Sequence, residues 1–185
     1  MAQSLNVFIM SILKVARLGH PVIRKPTSPL SEKELKDPRV QTLIDDMVAT
    51  MREYAGVGLA ANQVHHSKQI LVLESKKNPR YEDVEEIPLM VLVNPTITWY
   101  SDDVVEDWEG CLSVPYLKGK VPRPQSIEVK AFNRKMQKLD FKANGFLAVV
   151  IQHEMDHLNG KVFLDSMKDL SNLTHLDEYG KYWTD

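Results

Sequence analysis

Apolar positions recur along the chain with two different periods. Between Asp37 and Tyr54 they fall at Val40, Leu43, Ile44, Met47, Val48, Met51 and Tyr54. That 3.6-residue stripe predicts a core-facing helix opened by Asp37 and Pro38. Ser31-Glu32-Lys33-Glu34 has the form of a capping box and predicts a short helical turn just before it. Pro21, Pro26 and Pro29 make the stretch from 19 to 30 an extended loop. β-rich runs then appear at Ile70 to Glu74 and Leu89 to Val93, separated by a polar surface loop. Thr96 to Tyr100 and Val104 to Trp108 are expected to pair as a hairpin through Ser101-Asp102-Asp103, and Pro122 and Pro124 to bracket a bend. Ser126 to Phe132 and Leu139 to Phe141 are further strands around a turn at Asn133-Arg134-Lys135. A second helix follows: Asn144-Gly145 at its start, Phe146 to Ile151 as a strongly apolar run, and Gly160 as its stop. Helix, several strands, then helix predicts an α+β fold of mostly antiparallel sheets packed around that last helix.

This helix carries Gln152-His153-Glu154-Met155-Asp156-His157. Side chains four apart share one helical face, with Cβ atoms about 5–6 Å apart. Two imidazoles so placed can hold one metal ion, and the glutamate after the first can reach a water beside it. Burying these polar groups in so apolar a helix is costly unless they have a partner, and a cation removes that cost. A catalytic site of this type needs a third protein ligand. The spacing that would place a third histidine at 163 finds Phe163 instead. Glu178 stands at the distance used by thermolysin-type proteases, with few residues after it to support it. Cys111, the only cysteine, is the upstream alternative, and a thiolate with two imidazoles suits zinc or ferrous iron.

Composition narrows the classes. At 185 residues the chain can bury a real core without cross-links. One cysteine excludes an internal disulfide, and the chain is expected to be cytoplasmic. A net charge of −2 argues against nucleic-acid binding as its main role, and no apolar run approaches a membrane span. Met10-Ser11-Ile12-Leu13-Lys14 reads as a natural beginning, so residues 1–9 are expected to be an extension, disordered or foreign, and 10–185 a single catalytic domain.

Two further stretches hold candidate chemistry. Gly56-Val57-Gly58-Leu59-Ala60-Ala61-Asn62-Gln63 has the letters of a dinucleotide-binding loop, but a helix precedes it where that motif needs a strand. Its small residues imply a backbone that passes close to something, such as one edge of a substrate cleft with the Gln63 amide offered to it. The other is Glu109-Gly110-Cys111-Leu112-Ser113-Val114-Pro115.

Taken together, these two blocks and the histidine helix resemble the peptide deformylase family, whose members remove the N-formyl group from nascent bacterial and organellar polypeptides. The resemblance covers Met10 to about Asp165. It implies that Cys111, His153 and His157 hold one divalent ion, ferrous iron in the cell, with zinc, nickel or cobalt as substitutes. It implies that Glu154 is the general base and acid, and that Gln63 and the Leu112 N–H form the oxyanion hole. It also implies that Arg123 braces Asp156. The partners it implies are N-formylmethionyl peptides and, transiently, the ribosome exit region. Tyr116 departs from the glycine or polar residue of many relatives, and the tail lacks the basic helix that some relatives use on the ribosome. Oligomeric state is left open between monomer and dimer. Two readings stand beside this one: a short thermolysin-type protease using Glu178, and a non-enzymatic structural metal site or redox-sensing Cys111.

The pocket for the first side chain is expected on the helix. Phe146, Val149, Val150, His153 and His157 share one face, so an apolar stripe runs into the histidines. With Val57, Gly58 and Glu109, the residues Phe146, Val149 and Val150 form the expected substrate-binding set. Such a pocket favours methionine, which is unbranched, flexible and polarizable.

Overall fold

The computed structural model describes residues 10–76 and 85–184. The expected extension at 1–9 and most of the polar loop between the first two β-rich runs lie outside the described residues. The capping box forms as the sequence implies: Ser31 and Glu34 satisfy each other's backbone at the start of α1, Glu32–Leu35. Helix α2, Pro38–Glu53, is capped by Asp37, whose side chain accepts from the Arg39 N–H at 2.9 Å. Leu43, Ile44, Met47, Val48 and Met51 are buried along it. Tyr54 falls at its C-cap and is exposed, so the apolar stripe ends at Met51.

All strand pairs in the two sheets are antiparallel. Strands β1 (Gly58–Ala60), β2 (Ile70–Ser75) and β3 (Ile87–Tyr100) belong to the larger sheet. Strands β4 (Val104–Cys111) and β5 (Val114–Pro124) form a hairpin in the smaller one. Strands β6 (Ser126–Phe132) and β7 (Lys138–Asn144) return to the larger sheet, whose order is β1-β2-β3-β6-β7. Helix α3, Gly145–Leu158, follows, then β8, Leu173–His175, beside β5, and finally α4, Leu176–Tyr182. No described helix is long and apolar enough to cross a membrane.

The larger sheet is covered on both faces, and β2 shows why its sequence is apolar without alternation. Ile70 and Val72 pack into the cluster built by α2, while Leu71 and Leu73 pack into the cluster built by α3. Successive side chains point to opposite faces, and here both faces are core. Each such side chain contributes roughly 1.5–3 kcal/mol through burial. A third cluster, with Ala16, Ile23, Val114, Val121, Val162 and Phe163, lies under the smaller sheet.

Three expectations about the strands are corrected. The runs at 89–93 and 96–100 are one strand, β3, which continues through Pro95. The ladder is irregular between Val93 and Thr96, where a missing N–H is tolerated, and Asn94 turns there with φ of 50°. The Asn94 side chain fixes this kink by bonding both the N–H and the C=O of Leu30 at 2.8 Å. Second, the hairpin expected between 96–100 and 104–108 does not form: β3 pairs with β6, and β4 with β5 in the other sheet. The Ser101 N–H binds the Ser126 C=O at 2.9 Å and so extends the β3–β6 pairing, after which the chain leaves that sheet. Third, Pro122 and Pro124 do not bracket a bend but lie within β5. Strand β8 pairs only as far as Gly119, so beyond it β5 has an open side where prolines are tolerated.

Candidate active site

Helix α3 places His153 and His157 side by side, with ring centroids 5.1 Å apart. It ends where the sequence implies. Gly160 adopts φ of +74°, its N–H binds the His157 C=O at 3.0 Å, and the Lys161 N–H binds the Asp156 C=O at 2.9 Å. This pair of bonds is a Schellman stop, and it fixes the last turn, which carries His157. The start differs from expectation. Asn144 occupies the N-cap but its side chain makes no cap bond; instead it accepts from the Ser126 hydroxyl at 2.8 Å, while Glu85 accepts from the Phe146 N–H at 3.2 Å.

Cys111 reaches the two histidines from the smaller sheet. It ends β4 at a register shift after Gly110, which turns it out of the regular ladder. Its Sγ lies 3.2 Å from His157 Nε2 and accepts from the Ser113 N–H at 3.3 Å. One ligand atom from each of Cys111, His153 and His157 lies within 4.8 Å of the others. Around one tetrahedral ion with sulfur and nitrogen ligands the corresponding edges would be roughly 3.3–3.6 Å. The donor set and its spacing fit a single divalent cation.

Behind His153 stands a buried charge network. Glu109 binds His153 Nδ1 at 2.8 Å, so Nε2 is the ring nitrogen left to meet Cys111. Arg123 donates to both Glu109 oxygens, at 2.8 and 3.0 Å, and to Asp156 at 2.7 Å. The Ser166 hydroxyl adds a 3.0 Å bond to Asp156. Carboxylate–histidine pairs of this kind orient a metal-binding ring. In the chain alone, burial disfavours the charged His153, but its bonds to Cys111 and Glu109 outweigh that and raise its pKa well above the ordinary value. His157 moves well below it, through burial and then the charges of His153 and Arg123. For Glu109, burial opposes ionisation, yet the bonds from His153 and Arg123 prevail and lower its pKa.

Glu154, the next residue of α3, lies against β1. Burial, with the nearby Glu109 charge, pushes its pKa up from 4.5 to about 7. Its Oε2 has no hydrogen-bond partner, a state shared among the described buried side chains only by Asn62 Oδ1 and His157 Nδ1. The closeness implied by the glycines is explained here: a Cβ on Gly58 would lie 2.5 Å from Glu154 Oε1. Gln63 follows in the 3-10 turn Ala61–Val64. Its Oε1 accepts from the Ala60 N–H at 2.8 Å, so its Nε2 faces Ser113 Oγ at 3.2 Å and Cys111 Sγ at 3.8 Å. An amide donor thus stands beside the thiol.

The polypeptide deformylase family model matches residues 12–173. The chain belongs to the polypeptide deformylase family. Among curated deformylases, peptide deformylase 2 of Nostoc sp. is 38% identical over 168 residues, 91% of this chain and 93% of that protein. The Met-Ala-Ser-bound crystal structure of class I type b peptide deformylase from Acinetobacter baumannii superposes with a TM-score of 0.82 at 38% identity, covering 86% of this chain and all of that one. The peptide deformylase from Ehrlichia chaffeensis gives 0.78 at 32% identity, covering 88% and 91% of the two chains.

Within this deformylase fold the expected residues fall into distinct places. Cys111, His153, His157, Glu154 and Gln63 converge, and the turn holding Leu112 and Ser113 lies beside them. The Leu112 side chain packs against the α2 cluster. The expected bond between Arg123 and Asp156 is present. Glu109, expected against the substrate, has its carboxylate committed to His153 and Arg123. Val57 and Phe146 are partly buried against the α3 cluster, Val149 is half-buried, and Val150 is a buried member of that core. Glu178 bonds Lys181 on α4 at 2.7 Å and stands outside the Cys-His-His group, which removes the third ligand of the protease reading. Sequence reasoning missed Asn62, which donates to the His157 C=O at 2.6 Å, and Ser113 and Ser166. Asn62 and Ser113 stand inside the two sequence blocks at 56–63 and 109–115, but only proximity after folding shows what these side chains bond.

Proposed function

We propose that this chain hydrolyses the N-formyl group of peptides beginning with formylmethionine, through Cys111, His153, His157, Glu154, Gln63 and the Leu112 N–H. The observation that carries the reading is Glu154: buried, with one oxygen unpartnered, on the same helix turn as two histidines that meet a cysteine. Cys111, His153 and His157 would hold a divalent cation, which when bound supplies the Lewis acidity that activates water and polarises a carbonyl. Glu154, poised near neutrality in the chain alone, accepts the proton of the attacking water and returns it to the departing amine. Gln63 Nε2, aimed by the bond between its Oε1 and the Ala60 N–H, donates to the formyl oxygen as charge develops, and the Leu112 N–H donates with it. The products are formate and a free amino terminus.

The Acinetobacter relative binds Met-Ala-Ser, the product this reaction would give from formyl-Met-Ala-Ser. On this reading the apolar surface of Val57, Phe146 and Val149 is the part of the expected set available to the methionine side chain, while Gly58 lies against Glu154. Ferrous iron is the ion we propose in the cell, with zinc, nickel or cobalt able to replace it, the cytoplasm the compartment, and residues 10–185 one catalytic unit. Anaerobic purification followed by metal analysis and a formate-release assay on formyl-Met-Ala-Ser tests this directly. Wild type should carry one ion per chain and release formate, and Cys111→Ala should lose most of both. Full metal and turnover in Cys111→Ala would refute the ligand set.

A further inference from the structure

The two oxyanion donors assigned above lie on different sheets. Gln63 follows β1 of the five-stranded sheet, and Leu112 sits in the β4–β5 turn of the three-stranded sheet; no strand is shared between the two. Their spacing therefore needs another support. The segment preceding α1 supplies one. Ser11 N–H binds Asp46 Oδ1 at 2.7 Å, and Leu13 N–H binds Thr50 Oγ1 at 2.8 Å, so the segment is fastened to α2. Further along, the Ala16 N–H binds the Gln63 C=O and the Leu18 N–H binds the Ser113 C=O, both at 2.7 Å. Ala16 is buried in the cluster beneath the smaller sheet, while Leu13 and Val15 pack against the α2 cluster. The segment thus grips the backbone of Gln63 with one amide and the residue after Leu112 with the next but one.

We propose that Ser11–Leu18 is a positioning strap that sets the distance between the Gln63 amide and the Leu112 N–H. The inference rests on the deformylase reading of those two donors. The strap acts through main-chain bonds to Gln63 and Ser113, and Ser113 Oγ closes the loop by accepting from Gln63 Nε2 at 3.2 Å. Leu18 and Ser113 are positioning residues, not catalytic ones. A shift of one donor by a fraction of an ångström weakens transition-state binding while leaving the rest of the peptide site in place, so the strap is expected to govern kcat and not KM.

The turn at the strap's end offers a clean probe. Arg17 to His20 form a β-turn closed by the His20 N–H to the Arg17 C=O at 2.9 Å, with Gly19 at the third position and φ of +100°. That is a type II turn, in which proline is favoured at the second position, here Leu18. Leu18→Pro therefore suits the turn and deletes one N–H, the one bound to Ser113; Leu18→Ala keeps it. Kinetics on formyl-Met-Ala-Ser, with metal content checked for each protein, should give Leu18→Pro a kcat roughly tenfold or more below Leu18→Ala, with similar KM and metal. Added to Gln63→Leu, Leu18→Pro should lower kcat by a clearly smaller factor than in wild type, because the Leu112 N–H then has no Gln63 amide to be spaced against. Equal kcat in Leu18→Pro and Leu18→Ala overturns the strap, and so does a fall of the same factor with and without Gln63. If Gln63→Leu alone leaves kcat unchanged, the oxyanion reading fails and the strap with it; if Gln63→Leu falls and Leu18→Pro does not, only the strap fails. Should Leu18→Pro not fold, Ser113→Ala put through the same cycle decides: a fall that vanishes in Gln63→Leu supports the proposal, and a fall of equal factor in both backgrounds, or none, overturns it.

Discussion

Gly58 and Glu154 are the pair in which one atom matters most. The Glu154 carboxylate occupies the space a side chain at 58 would fill, with a Cβ only 2.5 Å from Oε1 and 2.8 Å from Cγ. Gly58→Ala must therefore displace the carboxylate we propose as the general base. Turnover should fall on the order of 10²-fold while metal content holds, since Gly58 touches no ligand; an alanine variant with wild-type kcat would show that Glu154 tolerates the move. Glu154 also predicts a pH effect in the metal-stripped protein. Its folded-state pKa, about 7, exceeds the ordinary 4.5 because of burial. A raised value stabilises the fold below the unfolded pKa, and that contribution disappears as pH rises through 7. The loss is on the order of 3 kcal/mol. Urea unfolding of chelator-treated protein at pH 5 and pH 8 should show wild type losing more stability than Glu154→Gln, which cannot titrate. Parallel losses in the two proteins would contradict the burial argument. That Glu154 could reach a water beside the histidines was legible in residue type and spacing, while the role proposed for Gln63 came from the family resemblance. The contact with Gly58 was legible only as a demand for small residues, because the partner arrives from a helix some ninety positions away.

Helix α3 shows how much an element's sequence can specify. Its apolar run, its two histidines four apart and its stop at Gly160 all appear in the structure where the pattern puts them. Gly160→Ala tests the stop. An alanine would have to hold φ near +74° with its Cβ 2.6 Å from the Arg24 carbonyl oxygen. The left-handed backbone alone costs about 1–2 kcal/mol. Thermal unfolding should drop by several degrees, and a Tm equal to wild type would mean that the helix end relaxes freely. Strand pairing was less legible. A short polar link between two β-rich runs reads as a hairpin, but Ser101 extends the pairing with β6 and sends the next strand to another sheet. Strand runs report local propensity, and their partners are decided by contacts far along the chain. Val150 illustrates the same limit: its helical face was legible, but whether that face met substrate or core depended on the larger sheet beneath it.

At the scale of the whole molecule, the site joins two sheets that share no strand. Cys111 comes from the smaller sheet, and the histidines from a helix packed on the larger one. Arg123 ties the same two bodies, reaching from β5 to Glu109 on β4 and Asp156 on α3. Its side chain is 6% exposed. Removing it would strand two carboxylates, one of them buried, and breaking such a network costs about 3–5 kcal/mol. Arg123→Ala should therefore unfold at clearly lower denaturant and bind metal more weakly, because Glu109 loses the partner that holds it against His153; an unchanged midpoint would refute a structural role for the network. On the proposed mechanism Cys111, His153 and His157 hold a metal, and Glu154, which does not, moves the proton. The measurement that separates these roles is metal stoichiometry and formate release on anaerobically prepared Glu154→Ala. The variant should keep one ion per chain and lose turnover of formyl-Met-Ala-Ser by several orders of magnitude; formate release near the wild-type rate, or loss of the ion with the glutamate, would contradict the account.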